Sequence, residues 1–454
     1  MLGTDFVDQL WTPFCRLLYK MERTGMALDI PYCHRQANTA RHHEEEAESE
    51  LRNWSGKDIN WRSPQQVDQF VHGDLGLDPS PIMSKGKVKF EYADNGDLLG
   101  SSTDKVAIQY LSDHAPDPGT KAGLRNLLKL RQIRSSLKYL EKMPRMAIDG
   151  RLHPNIRPDT ETNRLAVSKP ELQQIPKDKR KDAYFIRRAF TAAPGYELVV
   201  ADMSQLEMRI QAHLHIKLFG LHTLAEDIAA ADCHSVNAVR IYSQIYPDLF
   251  SGVEPSKEAF AAHSHPIVRN ARDDLKTTIY SIGYGKGAYG LGFTLRDEAG
   301  DPIGEQVAAK ILDGLFQIHP GIPMYQDWVR DFVKKRHGMY SLLGLWRPLP
   351  GAEGNKWHLN RAVRQALNHP MQSGGAEIML RAMLLLDSDP ALSKIGARMV
   401  SQVHDELVFE APVGRGEACL AIMKQHMTRA GRDFNLTVPL EVDGAVAQNW
   451  GDAK

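Results

Sequence analysis

Cysteine is scarce in this chain, and what little there is forms no pattern. Cys15, Cys33, Cys233 and Cys419 are scattered, with no C-x-x-C pair and no histidine cluster at zinc spacing. That excludes a disulfide framework and a structural zinc, and leaves buried, reduced thiols as the reading. An excess of charge of one sign is also missing, since 56 Lys and Arg balance 56 Asp and Glu. Net charge therefore says nothing for a polyanionic partner, and the placement of the charges must decide. No apolar run approaches the roughly 20 residues that cross a bilayer, and acids and polar residues stand where a secretory core would lie. The chain reads as cytoplasmic, with no membrane partner. Hydrophobic and charged fractions of 42% and 25% are those of an ordinary folded protein, which excludes wholesale disorder. A length of 454 residues implies two to four subdomains or one multilobed enzyme.

Helical periodicity is present from about Asp5 to Arg52 (Leu17, Leu18, Met21, then Ala37, Ala40, Ala47, Leu51), with a break at Gly25 to Pro31. The acidic run Glu44 to Glu50 reads as a solvated helix face. Ser63-Pro64 and Ser102-Thr103-Asp104 are helix starts, and Pro79 to Gly100 reads as loop or hairpin. From Lys121 to Arg145 eight cations (Lys121, Arg125, Lys129, Arg131, Arg134, Lys138, Lys142, Arg145) meet little acid. They read as a stripe tracking a phosphate backbone, with an ordinary solvated helix as the alternative. A second basic cluster runs from Lys177 to Lys181 and is followed by Arg187 and Arg188.

Two aspartates stand at strand ends. Asp202 follows the apolar run YELVVA, and Asp405 sits in a tight turn between Met399–Val403 and Leu407–Phe409. Magnesium takes oxygen ligands and is commonly held by one or two carboxylates plus substrate phosphates, so such a pair suits two-metal phosphoryl transfer. Turn and capping aspartates are the plain alternative. Between them, Arg272, Lys276 and Tyr280 recur at four-residue steps, placing two cations and a ring on one helical face. That face could clamp a triphosphate and stack on a base.

Three segments in order carry a resemblance: DMSQLEMRIQAHL (202–214), RDDLKTTIYSIGYG (272–285) and QVHDELVFE (402–410). They resemble the three polymerase motifs of family A DNA polymerases, the family of bacterial DNA polymerase I. TETNRLAVSKPELQQIP (160–176), RQALNHPMQSGGAEI (364–378), and the two ends of the chain are similar to further parts of that family, so the likeness covers essentially the whole sequence. It implies an α+β fold shaped as a right hand: a helical thumb (1–150), an antiparallel palm sheet (151–214 and 339–454) and helical fingers (215–338). No exonuclease domain is expected within the chain, and its departures from the bacterial pattern are of a phage type.

The resemblance also implies roles. Asp202 and Asp405 are the metal ligands for two Mg2+ ions, with Mn2+ as a substitute, and Glu406 is a supporting acid. Arg272 and Lys276 bind the incoming triphosphate and serve catalysis, Tyr280 packs on its sugar and base, and Tyr284 lies near the templating position. Glu207 fills the space a ribose 2′-OH would need, and Gln205 and His234 complete the dNTP contacts. Arg164, Arg364, Asn368, Gln372 and His404 contact primer-template DNA. The expected partners are that DNA and dNTPs, for a monomeric enzyme. A single-subunit RNA polymerase and a catalytically silent DNA-binding scaffold are the rival readings. Several positions depart from the family pattern: Tyr280 for Phe, Asn163 for Gly, Met203 for an aromatic, and Glu171 and Gln174 for two Asn. The Tyr280 hydroxyl implies poor exclusion of dideoxynucleotides, and the changes around Arg164 put minor-groove contacts in question.

Overall fold

In a computed structural model, residues 11–77, 103–176, 184–230, 232–298 and 302–453 are described, together with short strand segments between 83 and 100. The basic cluster at 177–181 lies outside the described residues.

The chain opens with helix α1 (Thr12–Thr24), whose Phe14, Leu17, Leu18 and Met21 are buried, and strand β1 (Met26–Leu28). Helix α2 (Ile30–Ser55) starts at Asp29, whose carboxylate accepts the Tyr32 N–H at 2.8 Å. Ser63 caps Pro64–Asp68 and Asp104 caps Lys105–Asp113, so both helix starts read from the sequence are present. Between them, Met83–Ser84 pairs with Lys87–Val88 and Glu91–Tyr92 with Leu98–Gly100.

Helix α3 (Pro118–Met146) begins at Asp117, which accepts the Thr120 N–H and hydroxyl at 2.9 and 2.6 Å. It packs along α2 in the opposite direction: Gly123 meets Trp54, Asn126 meets Ala47, Arg134 meets Glu44, and Arg41 meets Glu141. Gly123 is needed there, because a Cβ would stand 2.1 Å from the Trp54 ring.

This packing corrects two readings. Glu44 is buried and bonded to Arg134 and Arg62, because it faces α3 and not water. The basic stripe is also broken: Arg131 is spent on the Thr103 carbonyl and Arg134 on Glu44 and Glu48. Arg125, Lys129, Lys138, Lys142 and Arg145 remain exposed.

Strand β2 (Tyr196–Met203) leads into helix α4 (Leu206–Phe219). Helices α5 (Cys233–Ile245), α6 (Pro266–Gly283), α7 (Gly304–Ile318) and α8 (Gly321–Arg336) follow, and share a core with Met208 and Ala212 of α4, formed by Ile241, Phe260, Leu275, Ile279, Leu315 and their neighbours. The sequence then builds α9 (Lys356–Asp387), β3 (Arg398–Val403), β4 (Glu406–Pro412), α10 (Gly416–Asp433) and β5 (Val442–Ala447). The sheet order is β3-β4-β2-β5, antiparallel throughout. Leu198 to Ala201 are all buried, as in a strand covered on both faces. A single continuous core joins α1–α3, this sheet and α9.

One ionic cluster ties these parts together. The Glu410 carboxylate on β4 is fully buried and accepts both Nη1 and Nη2 of Arg151 at 3.0 Å, Nε of Arg398 at 2.8 Å and the Ala193 N–H at 3.1 Å. Arg151 also donates to the carbonyls of Thr24 and Gly25, at the end of α1. Among the cysteines, Cys33, Cys233 and Cys419 are buried as read, whereas Cys15 is exposed on α1. Among the described residues no helix is long and apolar enough to cross a membrane.

Removing the acid would leave the Arg151 charge buried and short of a partner. Glu410→Ala is expected to lower the unfolding free energy by about 3–5 kcal/mol, measured by urea denaturation followed by circular dichroism; a loss below about 1 kcal/mol would contradict this role.

Candidate active site

Strand pairing sets the site. Asp202 stands opposite Glu406 of β4 on one side and Asp443 of β5 on the other. The Met203 N–H donates to the Asp405 carbonyl at 3.0 Å, so the two aspartates lie at one end of the same sheet. Asp405 belongs to the two-residue turn between β3 and β4, and His404 before it adopts φ +58°. His404 is exposed, and its carbonyl accepts the Gln402 side-chain amide.

Glu406 is directed away from solvent. Its Oε1 accepts the indole N–H of Trp450 at 2.6 Å and lies 3.6 Å from Nη1 of Arg187. That guanidinium stacks over the Trp450 ring at 3.9 Å. All three residues are buried. In the sequence Arg187 only follows a basic cluster, and Trp450 carries no signal beyond the likeness of the C-terminal end.

Helix α6 approaches from the other core. Burial first, and then the charges of Glu207, Asp405 and Asp202, push the Tyr280 phenol up to about 12. Tyr284 caps the end of α6, and its hydroxyl donates to Glu207 Oε2 at 2.6 Å. Burial and the Glu207 charge push it, too, to about 12, while a bond with Gln372 pulls the other way. The second oxygen of Glu207 takes the Arg164 guanidinium. Arg164, Glu207, Tyr284 and Gln372, drawn from four distant segments, thus meet in one network. Gly285 follows at φ +73°, with the Arg364 side chain 3.0 Å from where a Cβ would stand. Arg364 is exposed, while Asn368 donates its side-chain amide to the Arg364 carbonyl at 2.9 Å.

Farther along α6, Lys276 is exposed and Arg272 is held by Asp232 through two bonds, Nε–Oδ2 at 3.0 Å and Nη2–Oδ1 at 3.1 Å. Burial works against the Asp232 charge, but the bonds from Arg272 and Ser235 outweigh it and hold its carboxyl below the usual range. His234 beside it is buried, and neither ring nitrogen has a hydrogen-bond partner among the described residues. Burial, then the charges of Lys276 and Arg272, lower it to about 4, so the ring is neutral near pH 7. Gln205 adopts φ +53° and its buried Oε1 has no partner there.

The departures around Arg164 have local explanations. Asn163 adopts φ +58°, which asparagine tolerates nearly as well as the glycine it replaces, and donates to Glu377 at 3.1 Å. Glu171 and Gln174 bond each other at 2.7 Å, and Met203 is buried in the core.

A cavity of about 230 Å³ opens beside the turn, lined by Arg164, Gln402, His404 and Asp405 over Phe14 and Met383. A larger cavity of about 540 Å³, lined by Trp346, Arg347, His358 and Arg361, reaches Asn163 and contains neither aspartate and none of the α6 residues. No group of three or more His, Cys, Asp or Glu is poised to hold a metal among the described residues. Two carboxylates joined at one sheet end fit a hard divalent ion that takes its remaining oxygens from phosphate and water.

An antiparallel sheet with paired acids at one end, facing a helix that carries Arg, Lys and Tyr from a separate helical core, defines a right-hand polymerase fold. The chain belongs to DNA polymerase family A, whose family model matches residues 30–452. It is 28% identical to DNA polymerase I of Chloroflexus aurantiacus, covering 99% of this chain and 43% of that protein. It is 30% identical to the thermostable DNA polymerase I of Thermus thermophilus, covering 98% and 48%. The chain therefore spans under half the length of these curated relatives. Among solved structures, the POL domain of Pol1 from M. smegmatis, in complex with DNA primer-template and dNTP, superposes with a TM-score of 0.80 at 29% identity, covering 98% of this chain and 71% of that one.

Trp450→Phe keeps the ring beneath Arg187 and deletes only the indole donor, leaving a buried carboxylate one bond short. It is expected to cost about 1–3 kcal/mol of stability, measured by chemical denaturation; no measurable cost would mean that the bond to Glu406 contributes nothing.

Proposed function

We propose that this chain is the polymerase module of a DNA-directed DNA polymerase, a nucleotidyltransferase that extends a primer 3′-OH with dNTPs against a template. The observation that carries this reading is the register that sets Asp202 and Asp405 side by side, facing the helix of Arg272, Lys276 and Tyr280. In this reading residues 1–150 are the thumb, 151–214 and 339–454 the palm and 215–338 the fingers. Primer-template DNA and dNTPs are the partners of a monomer acting in the cytoplasm.

The primer 3′-oxygen attacks the α-phosphorus of the dNTP, forming the new phosphodiester and expelling pyrophosphate. Asp202 and Asp405 would hold two divalent ions, Mg2+ with Mn2+ as a substitute, which lower the pKa of the attacking hydroxyl and offset phosphate charge. Arg272 and Lys276 offset charge on the leaving pyrophosphate, and neutral His234 offers a donor to the same phosphates. Tyr280 packs on the nucleotide, Gln205 supports it, and Tyr284 stands at the templating position. Glu406, fixed by Trp450 and Arg187, stays in place beside the aspartates without swinging among them. Arg164, Arg364, Asn368, Gln372 and His404 follow the duplex, where minor-groove acceptors common to all base pairs report pairing geometry. Rotation of α6 toward the sheet would close the site on a correct pair.

Glu207 favours DNA over RNA synthesis. Clamped by Arg164 and Tyr284, it presents a rigid carboxylate where a 2′-OH would have to fit, which an RNA polymerase would leave open. The test is primer extension with Mg2+ and dNTPs or rNTPs. Wild type should extend with dNTPs, Asp202→Asn and Asp405→Asn should each lose at least about a thousandfold in rate, and Glu207→Ala should gain ribonucleotide incorporation. Unchanged rates in both aspartate variants would refute the assignment, and equal use of rNTPs by wild type would favour the RNA polymerase reading. Tyr280→Phe should sharpen discrimination against dideoxynucleotides by about tenfold or more; equal discrimination in the two proteins, measured by competing ddNTP with dNTP, would remove the hydroxyl from that role.

A further inference from the structure

Arginine 272 is the one cation of the proposed triphosphate clamp whose side chain is already fixed, and Asp232 fixes it. The carboxylate takes the inner edge of the guanidinium, Nε and Nη2, at 3.0 and 3.1 Å. Its own orientation is set from the other side by Ser235, whose hydroxyl donates to Oδ2 at 2.5 Å and whose N–H donates to Oδ1 at 3.4 Å. Asp232 is thereby the N-cap of α5 and the brace of α6 at once. Both of its oxygens are engaged, so it does not compete for a ligand. The Nη1 end of Arg272 is engaged by the exposed Asp273 alone, at 3.4 Å.

Two other groups lie close to this brace in the chain. His234 lies two residues past Asp232 in the first turn of α5, buried with both ring nitrogens unpartnered among the described residues. Lys276 lies one turn along α6 from Arg272. A free arginine side chain surrenders rotamer entropy when it closes on an anion, and a guanidinium braced along one edge has surrendered it already.

We infer that Asp232 is a positioning residue for the triphosphate, holding Arg272 so that its outer N–H groups, His234 and Lys276 converge on the same phosphates. This rests on the polymerase reading. The opposite arrangement, in which Asp232 occupies Arg272 as a competitor of the nucleotide, makes the opposite prediction for affinity.

The discriminating variant is Asp232→Asn. Asparagine caps a helix as well as aspartate does, so the start of α5 survives while the charged, two-pronged hold on Arg272 is lost. Asp232→Ser is a second capping variant should the first fold poorly. The measurement is the Kd of a matched dNTP for the enzyme bound to a dideoxy-terminated primer-template, so that nothing turns over, followed by the single-turnover rate on an extendable primer at saturating dNTP. The dNTP Kd should rise about tenfold while the saturated rate and the primer-template Kd stay within about threefold. Asp273→Asn, which removes an exposed charge beside the same guanidinium, should leave the dNTP Kd within about twofold. An unchanged Kd in Asp232→Asn overturns the inference, and a lowered one supports the competitor arrangement against it. Failure of the wild type to extend any primer overturns the polymerase reading and the inference with it; extension by wild type with an unmoved Kd in the variant overturns this inference alone.

Discussion

Side chains alternate across a strand, so the pairing of β2 with β4 and β5 decides which residues share the surface on which chemistry can occur. In the observed register Asp202 aligns with Glu406 and Asp443, and the Met203 N–H reaches the Asp405 carbonyl. A slip of one residue would exchange Asp202 for Ala201 or Met203, both buried, and would turn the acid into the core. Leu198 to Ala201 are buried on either face, so the penalty for that slip falls on the acid. Glu410 secures the sheet at its other end, where its fully buried carboxylate gathers Arg151, Arg398 and the Ala193 amide. Register and cluster together make the position of two half-buried carboxylates a consequence of the apolar core.

The charges around that sheet end are segregated even though the chain as a whole has none in excess. Acids occupy the sheet: Asp202, Asp405, Glu406 and Asp443. Cations and neutral donors occupy α5 and α6: Arg272, Lys276 and an uncharged His234. Between the two groups sit the hydroxyls of Tyr280 and Tyr284, both held protonated by burial and by the carboxylates nearby. Glu207 is caught between Arg164 and Tyr284, and this gives a side chain on the first turn of a helix the rigidity of a core residue. The sugar selection proposed for Glu207 would require that rigidity, because a mobile carboxylate would yield to an added hydroxyl.

Much of this architecture is legible locally. The apolar strand that ends at Asp202, the turn at Asp405 and the helix starts at Ser63 and Asp104 all depend on neighbours within a few residues, and each is present. Asparagine at 163 is likewise intelligible, since the position needs a positive φ. What eluded the sequence depends on partners far along the chain. Glu44 looked solvated because Arg134 is ninety residues away. Arg131 and Arg134 looked like phosphate contacts because nothing nearby consumes them, whereas Thr103, Glu44 and Glu48 do. Trp450 meets Glu406, and Asp232 meets Arg272, only through the packing of separate elements. Periodicity locates helices and strands, but it carries no information about which charges will neutralise one another.

The central claim is that Asp202 and Asp405 on the sheet and Arg272, Lys276 and His234 on the helices are two halves of one nucleotide site. The most direct measurement is an experimental structure of the chain with a dideoxy-terminated primer-template, the next matched dNTP and Mg2+. The triphosphate should lie between these two sets of residues, with the α-phosphate toward the aspartates and the β- and γ-phosphates toward α6. A triphosphate bound elsewhere, or a primer end remote from Asp405, would contradict it.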